Sequence, residues 1–250
     1  MELSSDQPYQ PGVRSALLVQ ERTIVKYVDM IDRREEETTA RSILGFPDET
    51  KLIDWGLDLL LHAFKTLVDA GVADSQTATI RASMHLQGRA TSVLAALRRL
   101  ATMGYWQEVV VLERVALEMI QRIEVYSHDE AKAEAYLKDN DKDYMAPSDL
   151  RKKLAGDDKD LLKRLQELYS SLSRFPHGRV IPDAPADELL APPPDTELRM
   201  LLLTVSRLFL KLLSLLSKVY GQACDFGDGW RAERCAWALK WNQVSIVSSR

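Results

Sequence analysis

The sequence predicts an all-α protein, a single-domain bundle of several helices with a proline-rich connection before a long C-terminal helix. Leucine is abundant, with 37 residues, whereas only 11 glycines occur among 250 residues. Leucine loses little side-chain freedom in a helix, and glycine costs backbone entropy there. Apolar residues also recur at helical spacing through most of the chain, and no segment shows the alternation that is typical of a half-buried strand.

Residues 1–13 contain two prolines and a glycine and are expected to form a flexible arm, with the bundle following over residues 14–221. Apolar stripes at helical spacing predict four helices, of which the fourth covers about 105–127. The first stripe consists of Leu17, Ile24, Val28 and Ile31. These helices are expected to end at Gly45, Gly71 and Gly104, and Asp74 or Ser75 is expected to cap the third.

The second half of the chain is more highly charged and is interrupted by prolines. Shorter helices are predicted at about 129–139, 148–155 and 158–173, and Asp157 or Asp158 can cap the last of them. Six of the ten prolines lie between residues 174 and 194, which excludes a helix there. The long helix is then predicted from Asp195 or Thr196 to Val219, closed by Gly221.

Residues 222–250 are predicted to form a C-terminal extension that contains three tryptophans. Trp230, Trp237 and Trp241 are spaced by seven and four residues, so one face of a helix can carry all three. Two interpretations carry equal weight. The indoles form a hydrophobic latch onto the bundle, or they form a surface for a protein partner or a second copy, because tryptophan is a favoured interface anchor.

The stretch from Leu198 to Val219 is hydrophobic and long enough to suggest a membrane span. Arg207 and Lys211 lie at its centre, however, and charges at that depth of a membrane are costly. We therefore predict an amphipathic helix and no contact with a membrane. The N-terminus lacks the apolar segment of a signal peptide, and the two cysteines form no disulfide framework, so a cytoplasmic location is expected.

Motif spacing argues against metal and cofactor chemistry. The sequence has no HExxH, paired CxxC, Glu-x-x-His pair, dinucleotide-binding fingerprint, P-loop or nucleophile elbow. We therefore expect no metal and no cofactor. The formal net charge of −4 also argues against a basic field over the whole molecule that would recruit nucleic acid.

The fourth helix carries charged residues within an apolar run. Arg114, Glu118 and Arg122 are each four residues apart, so opposite charges can form one ladder along the helix. In the functional interpretation, Glu118 is a base or holds a ligand between two guanidinium groups. In the structural interpretation, which we favour, the ladder is a set of ion pairs that faces a neighbouring helix.

A locally cationic segment follows the predicted helix 158–173. It contains Ser173, Arg174, His177 and Arg179 beside a proline. Arginine pairs bind phosphate or carboxylate, and histidine can carry a proton near neutral pH, so this segment is a candidate anion site. The alternative, which we favour slightly, is a helix C-terminus where cations neutralise the exposed carbonyl groups.

Arg122 and His128 have five residues between them, which fits the R-x(4–6)-H pattern of HEPN ribonucleases. In such an enzyme an arginine stabilises developing phosphate charge and a histidine acts as general acid or base. The pattern is short, and a chain of this composition is expected to contain about one match by chance. The residue after the arginine is Ile123, whereas HEPN enzymes usually have a polar residue there.

Two further strings carry a family resemblance. The segment Val111-Leu112-Glu113-Arg114-Val115-Ala116-Leu117-Glu118 and the later segment Leu172-Ser173-Arg174-Phe175-Pro176-His177-Gly178 resemble the R-x-x-x-E and Leu-Ser…His segments of a bacterial helical family of unknown function. That family is distantly HEPN-like and AbiV-like, and some members occur near phage-defence or toxin genes. The resemblance covers roughly residues 80–220. It implies Arg114, Glu118, Ser173 and His177 as candidate positions, and it implies no established activity.

Together, these observations favour a cytoplasmic helical interaction or regulatory protein of bacterial defence or stress response. A homodimer is expected from the broad apolar face of residues 198–219 and from the tryptophans. The alternative is a metal-independent HEPN-type endoribonuclease. Its catalytic residues would come from Arg122, His128, Arg174 and His177, and RNA is a partner only in that case.

Overall fold

The computed structural model describes the backbone of residues 11–74, 77–138, 145–173 and 193–247, and the side chains of 28–74, 77–138, 145–172 and 193–246. These residues form nine α-helices and one short 3-10 helix, Val72–Asp74, and no strand occurs among them. The all-α prediction is thus confirmed. The α-helices are α1 Pro11–Gly45, α2 Pro47–Asp69, α3 Ala78–Thr102, α4 Trp106–Tyr126, α5 Glu130–Leu137, α6 Pro147–Ala155, α7 Lys159–Ser173, α8 Asp195–Tyr220 and α9 Gly227–Val247.

Glycines separate the helices where the sequence predicted them. Gly71 and Gly104 have φ angles of +68° and +75°, a left-handed conformation that glycine adopts without a steric penalty. They follow α2 and α3, so at both chain reversals the left-handed position is occupied by a glycine. At the N-terminus α1 already begins at Pro11, and residues 11–13 of the predicted arm are therefore helical.

Helix α8 lies at the centre of the bundle and packs against α2, α3, α4 and α9. Its buried side chains are almost all apolar, because leucines and Phe209 occupy its inward face. Gly56 of α2 faces α8 closely, because a methyl group in place of the glycine hydrogen would lie 3.0 Å from the Phe209 ring. A side chain at Gly56 would therefore press on Phe209 in the contact between α2 and α8.

By length and composition α8 could also cross a membrane, and buried core helices of globular proteins share this property. Arg207 is exposed, whereas the half-buried Lys211 interacts with Glu113 of α4 at the edge of the helix contact. The apolar face of the helix is covered by α2, α3 and α4 of the same chain.

The C-terminal helix α9 attaches to the bundle through its tryptophans. Trp230 and Trp237 are buried, and their indole N–H groups donate to the backbone carbonyls of Leu59 and Leu52 at 3.1 and 2.7 Å. The half-buried Trp241 donates to Ser206 Oγ at 2.9 Å. The described contacts are those of the hydrophobic latch, in which the indoles pack onto the bundle. The predicted C-terminal extension therefore shares the core of the bundle. Contact of these tryptophans with a partner stays a prediction. Of the three, Trp241 is the most exposed.

The helix caps differ in part from the expectation. Helix α3 has Thr77 at its N-cap position, without a side-chain cap. The carboxylate of Glu130 in α5 instead accepts from the backbone N–H groups of Ala78 and Thr79 at 2.8 and 3.3 Å. Asp74 lies in the preceding 3-10 helix and is not the N-cap, and Ser75 lies outside the described residues. A carboxylate distant in sequence thus occupies donors that a local cap would otherwise satisfy. At α7, Asp158 accepts from Leu161 N at 2.8 Å, as predicted.

We predict that Gly56→Ala lowers the free energy of unfolding by about 1–2 kcal/mol. Overpacking a core costs about 1–3 kcal/mol, and better helix propensity returns up to about 1 kcal/mol. Gly88→Ala is the matched control in α3, because its new methyl group would lie 3.5 Å from Phe64, an ordinary contact distance. Urea unfolding followed by circular dichroism should therefore show Gly88→Ala at or above wild-type stability. Equal stability of both variants would contradict the close approach of α2 and α8.

Candidate functional site

The largest charged cluster among the predicted residues lies where α4 meets α7. Arg114 Nε donates to Glu118 Oε1 at 3.2 Å, and Arg114 Nη2 donates to the hydroxyl of Tyr169. Burial, followed by a hydrogen bond to Glu118, raises the pKa of Tyr169. Glu118 therefore interacts with both the arginine and the phenol, and the three groups satisfy one another.

A second arginine stacks on the same aromatic ring. The guanidinium carbon of Arg151, in α6, lies 3.9 Å from the centre of the Tyr169 ring, and that of Arg114 lies 4.4 Å from it. Arg151 is 9% exposed, and its Nε and Nη1 atoms are buried without a hydrogen-bond acceptor among the described residues. We refer to Arg114, Glu118, Arg151 and Tyr169 as the arginine–tyrosine site. Its formal charge is +1, because two arginines face one carboxylate.

Arg122 lies one turn beyond Glu118 on α4 and is 2% exposed. Its Nη1 atom donates to Tyr126 Oη at 3.2 Å and to the carbonyl of Met145, just before α6, at 3.0 Å. The contacts described for Arg122 thus join α4 to the start of α6. Of the predicted ladder, the Arg114–Glu118 ion pair is present, and Arg122 has these additional partners.

The other sequence candidates are not part of this cluster. His128 is exposed in the turn that follows α4, whereas Arg122 is buried, so the R-x(4–6)-H pair is divided between surface and interior. Ser173 is the last residue of α7, and its side chain lies outside the described part of the structure. Arg174, His177 and Arg179 also lie outside the described residues.

A second group of titratable side chains lies between α4 and α8. Burial raises the pKa of Glu113 to about 7, although the positive charges of Lys211 and Arg207 act in the opposite direction. Burial, followed by the positive charge of Arg207, lowers the pKa of Lys211, while Glu113 and Glu124 raise it. A partly buried carboxyl group and a partly buried ammonium group thus face each other between two core helices.

A third polar feature lies inside α3. Ser83, Gln87 and Thr91 recur every four residues and are 0%, 0% and 6% exposed. Their side-chain polar atoms have no hydrogen-bond partner among the described residues. A stripe of this kind weakens the core, because an unsatisfied buried polar group costs about 1–3 kcal/mol. It does not reach the surface, so it is a weaker candidate for a ligand site than the arginine–tyrosine site.

Arg114 and Glu118 were predictable from the sequence, whereas Arg151 and Tyr169 were not. The latter two residues lie on α6 and α7, and no spacing rule links two short helices to the middle of α4. The sequence signal that could have pointed to a buried cation was the position of Arg151, close to Leu150 and Leu154 in a short amphipathic helix. In the described part of the chain, no group of three or more histidine, cysteine or acidic side chains is arranged to hold a metal ion.

Comparison of the chain with protein-family models, with curated proteins and with solved structures gave no match. The HEPN-like and AbiV-like resemblance therefore stays a prediction from two short strings. The chemistry of the arginine–tyrosine site must therefore be inferred from its geometry. It contains two arginines, one of them buried, and one carboxylate.

We predict that Glu113→Gln removes a decrease in the free energy of unfolding that the wild type shows as the pH rises. With the pKa of Glu113 near 7 in the folded protein and 4.5 as the ordinary value, the folded form binds this proton more tightly than the unfolded chain. Unfolding then releases a proton between these pH values, so wild-type stability falls as the pH rises through them. Above pH 7 the variant should be more stable than wild type, by on the order of 1–3 kcal/mol.

Denaturant unfolding at pH 5, 6, 7 and 8 measures this difference. The exposed Glu233→Gln in α9 is the control and should follow the wild-type profile at every pH. A Glu113→Gln profile parallel to that of wild type would show that Glu113 is solvated as an ordinary surface carboxylate.

Proposed function

We propose that this chain is a helical binding protein that holds an anionic group at the arginine–tyrosine site and acts through contacts rather than catalysis. The observation that carries the proposal is the burial of the Arg151 side chain. Its guanidinium group is buried against the Tyr169 ring, and the nearest described carboxylate of the site, Glu118, already pairs with Arg114.

Arg151 is a buried cation without an ion-pair partner among the described residues. Burying an ion costs several kcal/mol even after relaxation, and a guanidinium stacked on an aromatic ring recovers up to about 2 kcal/mol. The phenol hydroxyl and the Glu118 carboxylate bond with each other and with Arg114, so within the described part of the chain they offer no acceptor to Arg151 Nε or Nη1. An anion at this position would supply the missing charge and the missing acceptors.

The chemistry of the donors indicates the class of anion. A guanidinium group presents a planar fork of N–H donors that matches the oxygens of a phosphate or a carboxylate. In the sequence, the segment 174–179 follows the helix that carries Tyr169 and adds two arginines and a histidine. We therefore expect a phosphate or carboxylate group, either free or carried by a partner.

The wider context of the proposal comes from the sequence. The sequence predicts an interaction or regulatory protein in the cytoplasm, and the family resemblance implies a bacterial protein with a role in defence or stress. A homodimer belongs to the same expectation. The apolar face of α8 and the indoles of Trp230 and Trp237 are buried within one chain, so a dimer needs a different surface.

We predict that inorganic phosphate stabilises the folded protein through Arg151. At ten times its dissociation constant, a ligand adds about 1.4 kcal/mol to the free energy of unfolding, which raises the melting temperature by several degrees. Thermal unfolding is measured in a phosphate-free buffer with sodium chloride to match the ionic strength. Each protein is compared with its own phosphate-free melting temperature, so that intrinsic differences in stability cancel.

Arg151→Met should abolish the phosphate response, because methionine keeps an apolar contact with Tyr169 and removes the charge. Arg164→Met, on the exposed face of α7, is the matched control and should respond like wild type. A response that Arg151→Met retains, or no response in any of the three proteins, would overturn the proposal.

The alternative function is a metal-independent endoribonuclease, for which the spacing of Arg122 and His128 is the specific observation. We predict that the purified protein leaves total RNA intact in the presence of a chelator, as judged by denaturing gel electrophoresis. Cleavage that is lost in His128→Ala or His177→Ala would favour the enzyme over the binding protein. The Glu233→Gln protein is a suitable control, because this change lies on α9, away from both histidines in the sequence.

A further inference from the structure

Helix α3 is strongly cationic, although the chain has a formal net charge of −4. Its 25 residues include four arginines and no acidic residue. Arg98 forms an ion pair with Asp54 of α2. Arg81, Arg89 and Arg99 are exposed, and their side chains make no ion pair or hydrogen bond with another described residue. These three arginines can therefore pair with an anionic partner.

The exposed side of α3 has cations at its ends and small residues in its middle. Arg81 and Arg99 are 18 residues apart, which is five helical turns, so they lie on one line about 27 Å apart. The middle of this line consists of small residues, namely Gly88, Ser92 and Ala95. His85, which lies closer to Arg81, hydrogen-bonds through its Nδ1 atom to Tyr136 Oη of α5 at 2.7 Å. The centre of the line is thus low, because no long side chain rises from it.

An apolar ridge of α2 borders these small residues. Leu57, Leu61, Phe64 and Val68 recur every three or four residues and so form one row along the helix. A methyl group at Gly88 would lie 3.5 Å from the Phe64 ring, which places this row beside the middle of α3. Leu61 and Val68 are 51% and 48% exposed. We refer to the surface between this row and the line from Arg81 to Arg99 as the α2–α3 groove.

We propose that the α2–α3 groove binds an amphipathic helix of a partner protein, with its apolar side chains on the α2 ridge and its carboxylates against the exposed arginines of α3. Helices that bind in grooves of this kind present an apolar side chain every three or four residues, which is also the spacing of the α2 ridge. The small residues of α3 let the backbone of the added helix approach closely. A groove about 27 Å long accommodates about 18 residues of helix.

The combination of aliphatic and cationic side chains selects this class of partner. Nucleic acid binds through its phosphates and stacks its bases on aromatic rings, so it would leave the exposed aliphatic surface of Leu61 and Val68 without a matching contact. An acidic amphipathic helix matches both sides of the groove, and opposite charge fixes its orientation. None of these residues belongs to the arginine–tyrosine site, so the two proposals can fail separately.

Fluorescence anisotropy with a model peptide tests the proposal. The probe is a labelled, alanine-based peptide of about 18 residues that has leucines spaced by four and three residues and glutamates beside them. In the matched control peptide, lysines replace the glutamates. The full-length protein should bind the glutamate peptide about tenfold more tightly, because like charges across an interface repel each other. Equal affinity for the two peptides, or no binding of the glutamate peptide, would overturn the proposal.

Charge reversal in the protein tests the cationic side of the groove. Arg89→Glu/Arg99→Glu should weaken binding of the glutamate peptide by about tenfold or more. Arg164→Glu/Lys218→Glu is the matched control, because it changes the net charge equally at exposed positions of α7 and α8. This control should bind the peptide like wild type. An equal loss of affinity in both double variants would show that only the overall charge matters, contrary to the proposal.

Leu61→Ser/Val68→Ser tests the apolar side, because it removes aliphatic surface and leaves every charge in place. It should weaken binding of the glutamate peptide by about tenfold, whereas unchanged affinity would indicate a general polyanion site and overturn the proposal. Single-stranded RNA of about 18 nucleotides should bind more weakly than the peptide at about 0.15 M salt. Tighter binding of the RNA, or a dimer in light scattering that Arg89→Glu/Arg99→Glu converts to the monomer, would identify a different occupant and overturn the proposal.

Discussion

The packing of the apolar face of α8 against its neighbours is the interaction on which the rest of the described structure depends. Helices α2, α3, α4 and α9 pack against α8, and Gly56 allows its Phe209 ring to reach the backbone of α2. The latch of α9 closes the outer side of this contact, because Trp230 and Trp237 bond to carbonyl groups of α2. A charge on the inward face of α8 would therefore disturb several helix contacts at once.

The arginine–tyrosine site lies at the edge of this core, because Leu150, beside Arg151 in α6, belongs to the main apolar cluster. Helix α7 is attached to α4 through a small separate cluster of apolar side chains, formed by Val110, Leu117, Leu168 and Leu172. A layer held by few buried contacts opens more easily than the main core, and binding sites are often drawn from such layers. In our account, an anion between α6 and α7 would add the electrostatic contact that Arg151 otherwise lacks, and binding would thereby stabilise this outer layer.

The helices were predictable because their determinants are local. Apolar spacing, the glycines at positions 71 and 104 and the Asp158 cap act within a few residues, so the pattern indicates them directly. The cap of α3 by Glu130 and the stacking of Arg151 on Tyr169 were not predictable, because both join residues that are distant in sequence. The ladder of α4 was predicted in part, since the sequence does not show that Arg122 bonds to the carbonyl of Met145.

Hydrogen exchange with and without inorganic phosphate, measured by mass spectrometry, tests the central claim that an anion completes the arginine–tyrosine site. Without phosphate, amides of α6 and α7 should exchange faster than those of α8, because the outer layer opens without unfolding the core. Phosphate should slow exchange in α6 and in the part of α7 around Tyr169 and leave α8 unchanged. Exchange in α6 that phosphate does not alter, or an equal slowing throughout the chain, would contradict the account.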